Sequence, residues 1–270
     1  VFIQKPLKGI IGGFCFMDNA EKSRRIFNTR SQKYDDLKWV FNDQFREIIV
    51  NLVNPRSTDI MLDLGTGSGA IADFFYSRVL KVVAVDISEA MLEKARALLS
   101  DANNVEFILS DGELTGLPDE HFDHIVCRNA LHHFTDPVNG LKEIRRMLKP
   151  DGFFTLIEPV PPNLIAKPLW SSLFMIRDKG RYPEFYYTPE ELIDFVKSDF
   201  ELIASDSNQI EIPMSNWSNI DSLTDSEIDK IHELLKNSSD DERDALGIYS
   251  QNEHWQMTHS WSLLKLKKLK

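Results

Sequence analysis

The run Met61-Leu62-Asp63-Leu64-Gly65-Thr66-Gly67-Ser68-Gly69-Ala70, followed by Val82-Val83-Ala84-Val85-Asp86, constrains this chain more than any other stretch. Its apolar start reads as a buried parallel strand, the alternate glycines as a tight turn, and residues 70–78 as a helix packed back on the sheet. Glycine is needed there because the backbone turns sharply and a bound group must approach closer than a Cβ permits. Asp86 closes the next strand 21 residues beyond Gly65 (86 − 65), where an acid reaches the ribose hydroxyls of a nucleotide-like cofactor.

Three details separate this pattern from a dinucleotide site. The glycines run Gly65-x-Gly67-x-Gly69, so the G-x-G-x-x-G spacing that seats a pyrophosphate on a helix N-terminus is absent. Asp63, inside the strand before the turn, suits the ammonium of an amino-acid moiety and repels phosphates. Asp111 follows a third strand-like run, Val105-Glu106-Phe107-Ile108-Leu109, where it can accept from an exocyclic adenine amine.

Further stations follow in order: Val85-Asp86-Ile87-Ser88 with Met91-Leu92, Ser110-Asp111-Gly112-Glu113 with Leu117-Pro118, Asn129-Ala130-Leu131-His132-His133-Phe134, and Leu148-Lys149-Pro150-Asp151-Gly152. With them, residues 60–158 resemble the core of class I S-adenosylmethionine (SAM)-dependent methyltransferases, in particular the small-molecule enzymes of ubiquinone and menaquinone biosynthesis. Gly112 stands where the family often has Ala, and Asp151-Gly152-Phe153 replaces a Gly-Gly pair; neither departure removes a cofactor contact.

The resemblance implies SAM as cofactor. It puts Asp63 at the amino-acid moiety, Gly65, Thr66 and Gly67 in the turn that binds the cofactor, Asp86 on the ribose, Asp111 on the adenine with Ile87 and Gly112 flanking it, and Met91 beside them, with a plain core role as the alternative for Met91. It also implies that the backbone at Asn129 touches the methionine moiety, and that Tyr34, matching an N-terminal Tyr-Asp pair, closes over the cofactor with its ring toward the sulfonium. His132 and His133 follow the fourth strand directly, open onto the crevice there and are the acid/base candidates, with structural capping as the alternative. His254, His259 and Tyr186 are candidate substrate contacts. No metal site is expected, because adjacent histidines cannot face one ion from a regular element and no Cys or carboxylate cluster completes a set.

The fold expected is α/β: a Rossmann-like, doubly wound, seven-stranded sheet, mostly parallel, with the antiparallel last strand that the resemblance implies. Strands are expected at 60–64, 81–86, 105–109, 122–128, 152–158, 200–205 and 259–266. Helices are expected at 88–99 and 137–148, and two more open at the capping boxes Thr188-Pro189-Glu190-Glu191 and Thr224-Asp225-Ser226-Glu227, running to about 198 and 235. With 270 residues and 42% hydrophobic content, residues 18–270 form one domain. Its N-terminal part, 18–53, reads as one or two amphipathic helices with Tyr34, Leu37, Phe41, Phe45 and Ile48 at helical spacing. Residues 159–187, with Trp170, Phe174, Phe185 and Tyr186, and residues 211–256 read as helical lid insertions that carry substrate identity. Residues 1–17 read as an N-terminal extension, with Met17 as a candidate native start; native protein whose intact mass includes the first sixteen residues would overturn that.

A net charge of −11 argues against a nucleic-acid backbone as main partner, and the basic run at 265–270 reads as a solvated chain end. Only Cys15 and Cys127 occur, so a reducing cytoplasm is the expected location, and no window approaches the roughly 20 apolar residues of a membrane span. The function expected is methyl transfer to carbon or oxygen of a small apolar or aromatic metabolite. One alternative is a SAM-binding protein that does not methylate, such as a pericyclase or a regulatory binder. A nucleic-acid methyltransferase is the weaker alternative, because Asn129-Ala130-Leu131-His132 lacks the Asn/Asp-Pro-Pro-aromatic grip for a target amine. Oligomeric state stays open, a homodimer included.

Overall fold

The computed structural model describes residues 19–178, 187–218, 220, 223–251 and 254–269. The expected extension at 1–17, together with Phe185 and Tyr186, lies outside the described residues. The strands are β1 (Ile60–Leu64), β2 (Lys81–Asp86), β3 (Val105–Leu109), β4 (Phe122–Arg128), β5 (Leu148–Pro159), β6 (Phe200–Pro213), β7 (Tyr249–Gln251) and β8 (His254–Lys268). They form one sheet in the order β3-β2-β1-β4-β5-β8-β6, with β7 paired to β8. The first five are parallel, β8 is antiparallel to β5, and β6 is antiparallel to β8.

The helices are α1 (Asn19–Arg30), α2 (Asp43–Val53), α3 (Ala70–Phe75), α4 (Glu89–Leu98), α5 (Pro137–Met147), α6 (Lys167–Arg177), α7 (Pro189–Val196), α8 (Met214–Ser218), α9 (Asp225–Asn237) and α10 (Asp240–Ala245). Strand residues alternate between two cores. Met61, Val82, Ala84 and Val126 cluster with Phe45 and Ile49 of α2 and Phe74 and Phe75 of α3. Leu62, Leu64, Val83, Val85 and Ile125 cluster with Leu141 and Ile144 of α5 and Leu192 of α7. Burial on both faces is why the central strands read as continuous apolar runs. The chain steps outward from β1 to β3, then returns to lay β4 on the other side of β1, so a crevice opens at the carboxyl ends of β1 and β4.

The sheet has eight strands where seven were expected, because Tyr249–Gln251 folds back on the start of β8. Strands β6 and β8 also outrun their expected limits, pairing from Phe200↔Lys268 to Pro213↔Gln256. The Asp206-Ser207-Asn208-Gln209 stretch of β6 has no hydrophobic signal, and its extended form comes from pairing with β8. The amphipathic stripe expected over 18–53 is broken. Tyr34 sits in a 3-10 turn, and Leu37 and Phe41 fall between the helices; only Phe45 and Ile48 lie on α2, whose start is capped by Asn42 Oδ1 accepting from Phe45 N at 2.8 Å. Helix α6 is not an open flap, since Leu169, Trp170, Leu173 and Phe174 are all core residues.

Both expected capping boxes form. At α7, Thr188 Oγ1 accepts from Glu191 N at 3.4 Å, and Glu191 Oε2 accepts from Thr188 N at 2.8 Å. Replacing Thr188 with alanine is expected to lower unfolding stability by about 1 kcal/mol in a urea titration.

Candidate functional site

Three neighbouring cavities lie at the crevice. The first holds about 660 Å³ of empty space and is lined by Gly65, Gly67, Asp86, Ile87, Met91, Asp111, Gly112, Asn129, His133 and Tyr34, with Ala20, Ser23 and Phe27 of α1 above. The second, about 450 Å³, lies beneath Trp39, Phe174, His259 and Trp261, beside His132 and His133. The third, about 330 Å³, lies between the glycine turn and the end of β4. Tyr34 and Asn129 line all three, so the cavities adjoin at these two side chains.

The glycine turn is held from below. Gly65, Gly67 and Gly69 have φ of +76°, +55° and +94°, in the left-handed region. A Cβ on Gly65 would sit 2.4 Å from Ala130 Cβ, so the turn also needs glycine to pass the loop after β4. Asp86 Oδ2 accepts from Gly67 N and its Oδ1 from Ser88 N, both at 2.8 Å, which ties the turn to β2 and leaves the remaining lone pairs for a ligand. Burial lifts the Asp86 carboxyl to about 6, against the lowering pull of the Ser88 and Gly67 amides.

Asp63 stands apart from the other acids. It is 1% exposed and lines none of the three cavities. Its Oδ2 accepts from Thr66 Oγ1 at 2.6 Å and from Ala72 N at 3.0 Å, and burial raises it to about 7. It therefore braces the turn and the start of α3 from behind, rather than facing an ammonium as expected. Thr66 shares that brace and lines the third cavity.

Asp111 Oδ1 accepts from Glu113 N at 3.0 Å, and Glu113 in turn accepts from the amides of Thr135 and Asp136. These bonds join the loop after β3 to the loop after β4 across the first cavity. Gly112 lies against the Phe134 ring, where an added Cβ would come within 2.4 Å of Cζ, so alanine does not fit without moving the ring. Asn129 has a φ of +54°, and its Oδ1 accepts from Trp261 Nε1 at 3.0 Å.

The two histidines part company. His133 packs edge-on to Phe27 of α1 at 4.8 Å and lines both the first and second cavities. His132 is buried, and its Nδ1 is hydrogen-bonded to Glu158 Oε2, while Glu158 Oε1 accepts from Leu131 N at 3.0 Å. Glu158 at the end of β5 was not foreseen. Its strand reads as plain apolar core, and only the pairing of β5 with β4 brings it to the histidine. His259 lines the second cavity, stacked on Trp261 at 4.1 Å, and burial holds it well below the usual imidazole range, so it is neutral. His254 is exposed and lines none of these cavities. Of the expected lid aromatics, Phe174 lines the second cavity, and Trp170 stacks behind it at 4.5 Å. Arg30 and Arg177 also line it; Arg30 Nη2 bonds Asp178 Oδ1 at 2.9 Å, pinning α1 to the end of α6. Among the described residues no cluster of three or more His, Cys, Asp or Glu side chains could hold a metal ion.

Residues 62–156 match the methyltransferase domain family. Around that stretch the chain is similar to curated methyltransferases, those of ubiquinone and menaquinone biosynthesis among them. It is 31% identical over 139 residues to the methyltransferase YcgJ of Bacillus subtilis, covering 51% of this chain and 55% of that one. It is 32% identical over 145 residues to demethylmenaquinone methyltransferase of Thermotoga maritima, covering 52% and 62%. These matches span little more than half the length of the curated relatives. The solved structure of the B. subtilis YcgJ protein superposes with a TM-score of 0.76 at 24% identity, covering 85% of this chain and all of that one.

The first cavity fits SAM, the cofactor that the resemblance implies. The glycine turn is a cradle that side chains would fill, and Asp86 reaches the cavity with spare acceptor capacity for two ribose hydroxyls. Only the Asp86 carboxylate accepts from both hydroxyls and attracts a sulfonium, so the favourable form exists above its pKa. SAM affinity is therefore expected to fall as pH drops through about 6, which calorimetric titrations between pH 5 and 8 check.

Proposed function

We propose that this chain transfers the methyl group of SAM to carbon or oxygen of a small apolar or aromatic acceptor held in the second cavity. The observation that carries this reading is the meeting of that aromatic-walled cavity with the cofactor cavity at Tyr34 and Asn129, next to His132. Bound SAM supplies an activated methyl with a neutral thioether as leaving group, so the protein has to align two molecules and exclude water. Trp39, Phe174 and Trp261 present apolar faces that favour a flat or greasy acceptor over a polar one. Tyr34 stands at the junction with its hydroxyl held neutral, since burial raises its pKa, and its ring is available to a sulfonium.

For an acceptor with a hydroxyl or an acidic carbon, His132 takes the proton. Glu158 binds Nδ1 and so leaves Nε2 as the basic nitrogen; the proton moves from acceptor to Nε2 as the acceptor's electron pair forms the new bond to the methyl carbon. A cytoplasmic location goes with this reading, since Cys127 is a buried free thiol. Among the described residues no helix is long and apolar enough to cross a membrane.

The test is incubation with methyl-labelled SAM and a panel of phenols, quinols and other small acceptors, beside RNA and DNA. Label on a small molecule is the expected result. Label on nucleic acid, or SAM bound without transfer to any acceptor, would overturn the reading.

A further inference from the structure

The second cavity has one polar ring set into its aromatic wall. His259 is 3% exposed and lines that cavity but neither of the other two, and among the described residues its Nδ1 has no hydrogen-bond partner. The nearby Ser260 carbonyl already accepts from Val160 N at 3.0 Å. The neighbours of the imidazole are rings: Trp261 stacked at 4.1 Å, Trp39 at 5.1 Å, Trp170 edge-on at 5.3 Å and Phe174 at 6.1 Å. Burial first, then the Arg177 charge, keeps it neutral, so it carries one N–H donor and one acceptor nitrogen. A polar group left unpaired in such surroundings is costly unless its partner arrives with a ligand.

Other polar groups on the same wall already hold protein partners. Asn129 Oδ1 accepts from Trp261, His132 Nδ1 is bonded to Glu158, Arg30 donates to the Arg177 carbonyl at 2.8 Å, and Arg177 Nε donates to the Trp217 carbonyl at 3.1 Å. We propose that His259 hydrogen-bonds a hydroxyl or carbonyl oxygen carried by an otherwise apolar ring, and so selects which acceptors are held. This rests on the reading of the second cavity as the acceptor site. Because His259 lies outside the cofactor cavity, the oxygen it binds anchors the ring apart from the atom that takes the methyl. An oxygenated ring satisfies the imidazole; a bare hydrocarbon of the same shape leaves it unpaired.

Calorimetry on the whole chain, loaded with S-adenosylhomocysteine and titrated with 4-ethylphenol or ethylbenzene, tests this. A purely apolar cavity favours the hydrocarbon, since the hydroxyl gives up its water for nothing. With His259 in place the phenol should bind about tenfold more tightly than ethylbenzene. His259→Phe keeps a ring in the stack without a hydrogen bond, so the order should reverse, ethylbenzene binding about threefold or more tightly than the phenol. His259→Leu carries the same comparison if His259→Phe fails to fold. Equal or tighter binding of ethylbenzene by the unaltered chain, no binding of the phenol, or parallel weakening of both probes in the variants would overturn the proposal. The readout is binding alone, which keeps it separate from the methyl-transfer assay that tests the underlying reading.

Discussion

Replacing Asp86 with alanine is expected to weaken SAM binding by about a hundredfold or more. Two effects add. The ribose loses a charged acceptor, worth about 1.5–3 kcal/mol per hydrogen bond. The amides of Gly67 and Ser88, each 2.8 Å from the carboxylate, lose their partner, so the turn no longer holds its left-handed glycines in place. Asp86→Asn separates the two, since it can still accept from one amide and one hydroxyl; it should lose about tenfold. Isothermal titration with S-adenosylhomocysteine reads both. A loss below about threefold in the alanine variant would mean that the ribose does not sit at β2.

The second large effect concerns His132 and Glu158. Removing a general base lowers turnover by about 10²- to 10⁴-fold, so His132→Ala should cut kcat by that range on an acceptor that must lose a proton. Glu158→Gln keeps the shape but substitutes a neutral partner at Nδ1, which also accepts the wrong tautomer, so a smaller loss, about ten- to hundredfold, is expected. SAM affinity should change by less than about threefold in both, because neither side chain lines the cofactor cavity. Unchanged kcat in His132→Ala would reduce the pair to a structural brace for the loop after β4.

Much of the cofactor side was legible in the sequence because its signals are local. A glycine at every second position, an acid ending each of two strands and five apolar runs are decided by neighbours within a few residues. The limits of β1 to β4 accordingly fall where the apolar runs begin and end. Asp63 shows where local reading stops: its place on the strand is visible, but only the fold turns its carboxylate back onto Thr66 and Ala72.

The second cavity, proposed to hold the acceptor, was barely legible. Its walls come from Trp39, Phe174, His259 and Trp261, brought together by α6, β8 and the turn after α1, with no spacing rule linking them. Arg30, Arg128 and Arg177 carry no local signal of burial, yet all three are buried. The length of β6 was hidden for a related reason. An edge strand with one face toward solvent can be polar along most of its length, and its register belongs to its partner.

The most direct test of the central claim is a crystal structure of the chain with S-adenosylhomocysteine. The account predicts ribose hydroxyls within hydrogen-bond distance of Asp86, the adenine between Asp111 and Ile87, and the sulfur at the junction of Tyr34 and Asn129, facing the cavity beside His132. A sulfur turned away from that junction, or an adenosyl group bound outside the crevice at β1 and β4, would contradict it.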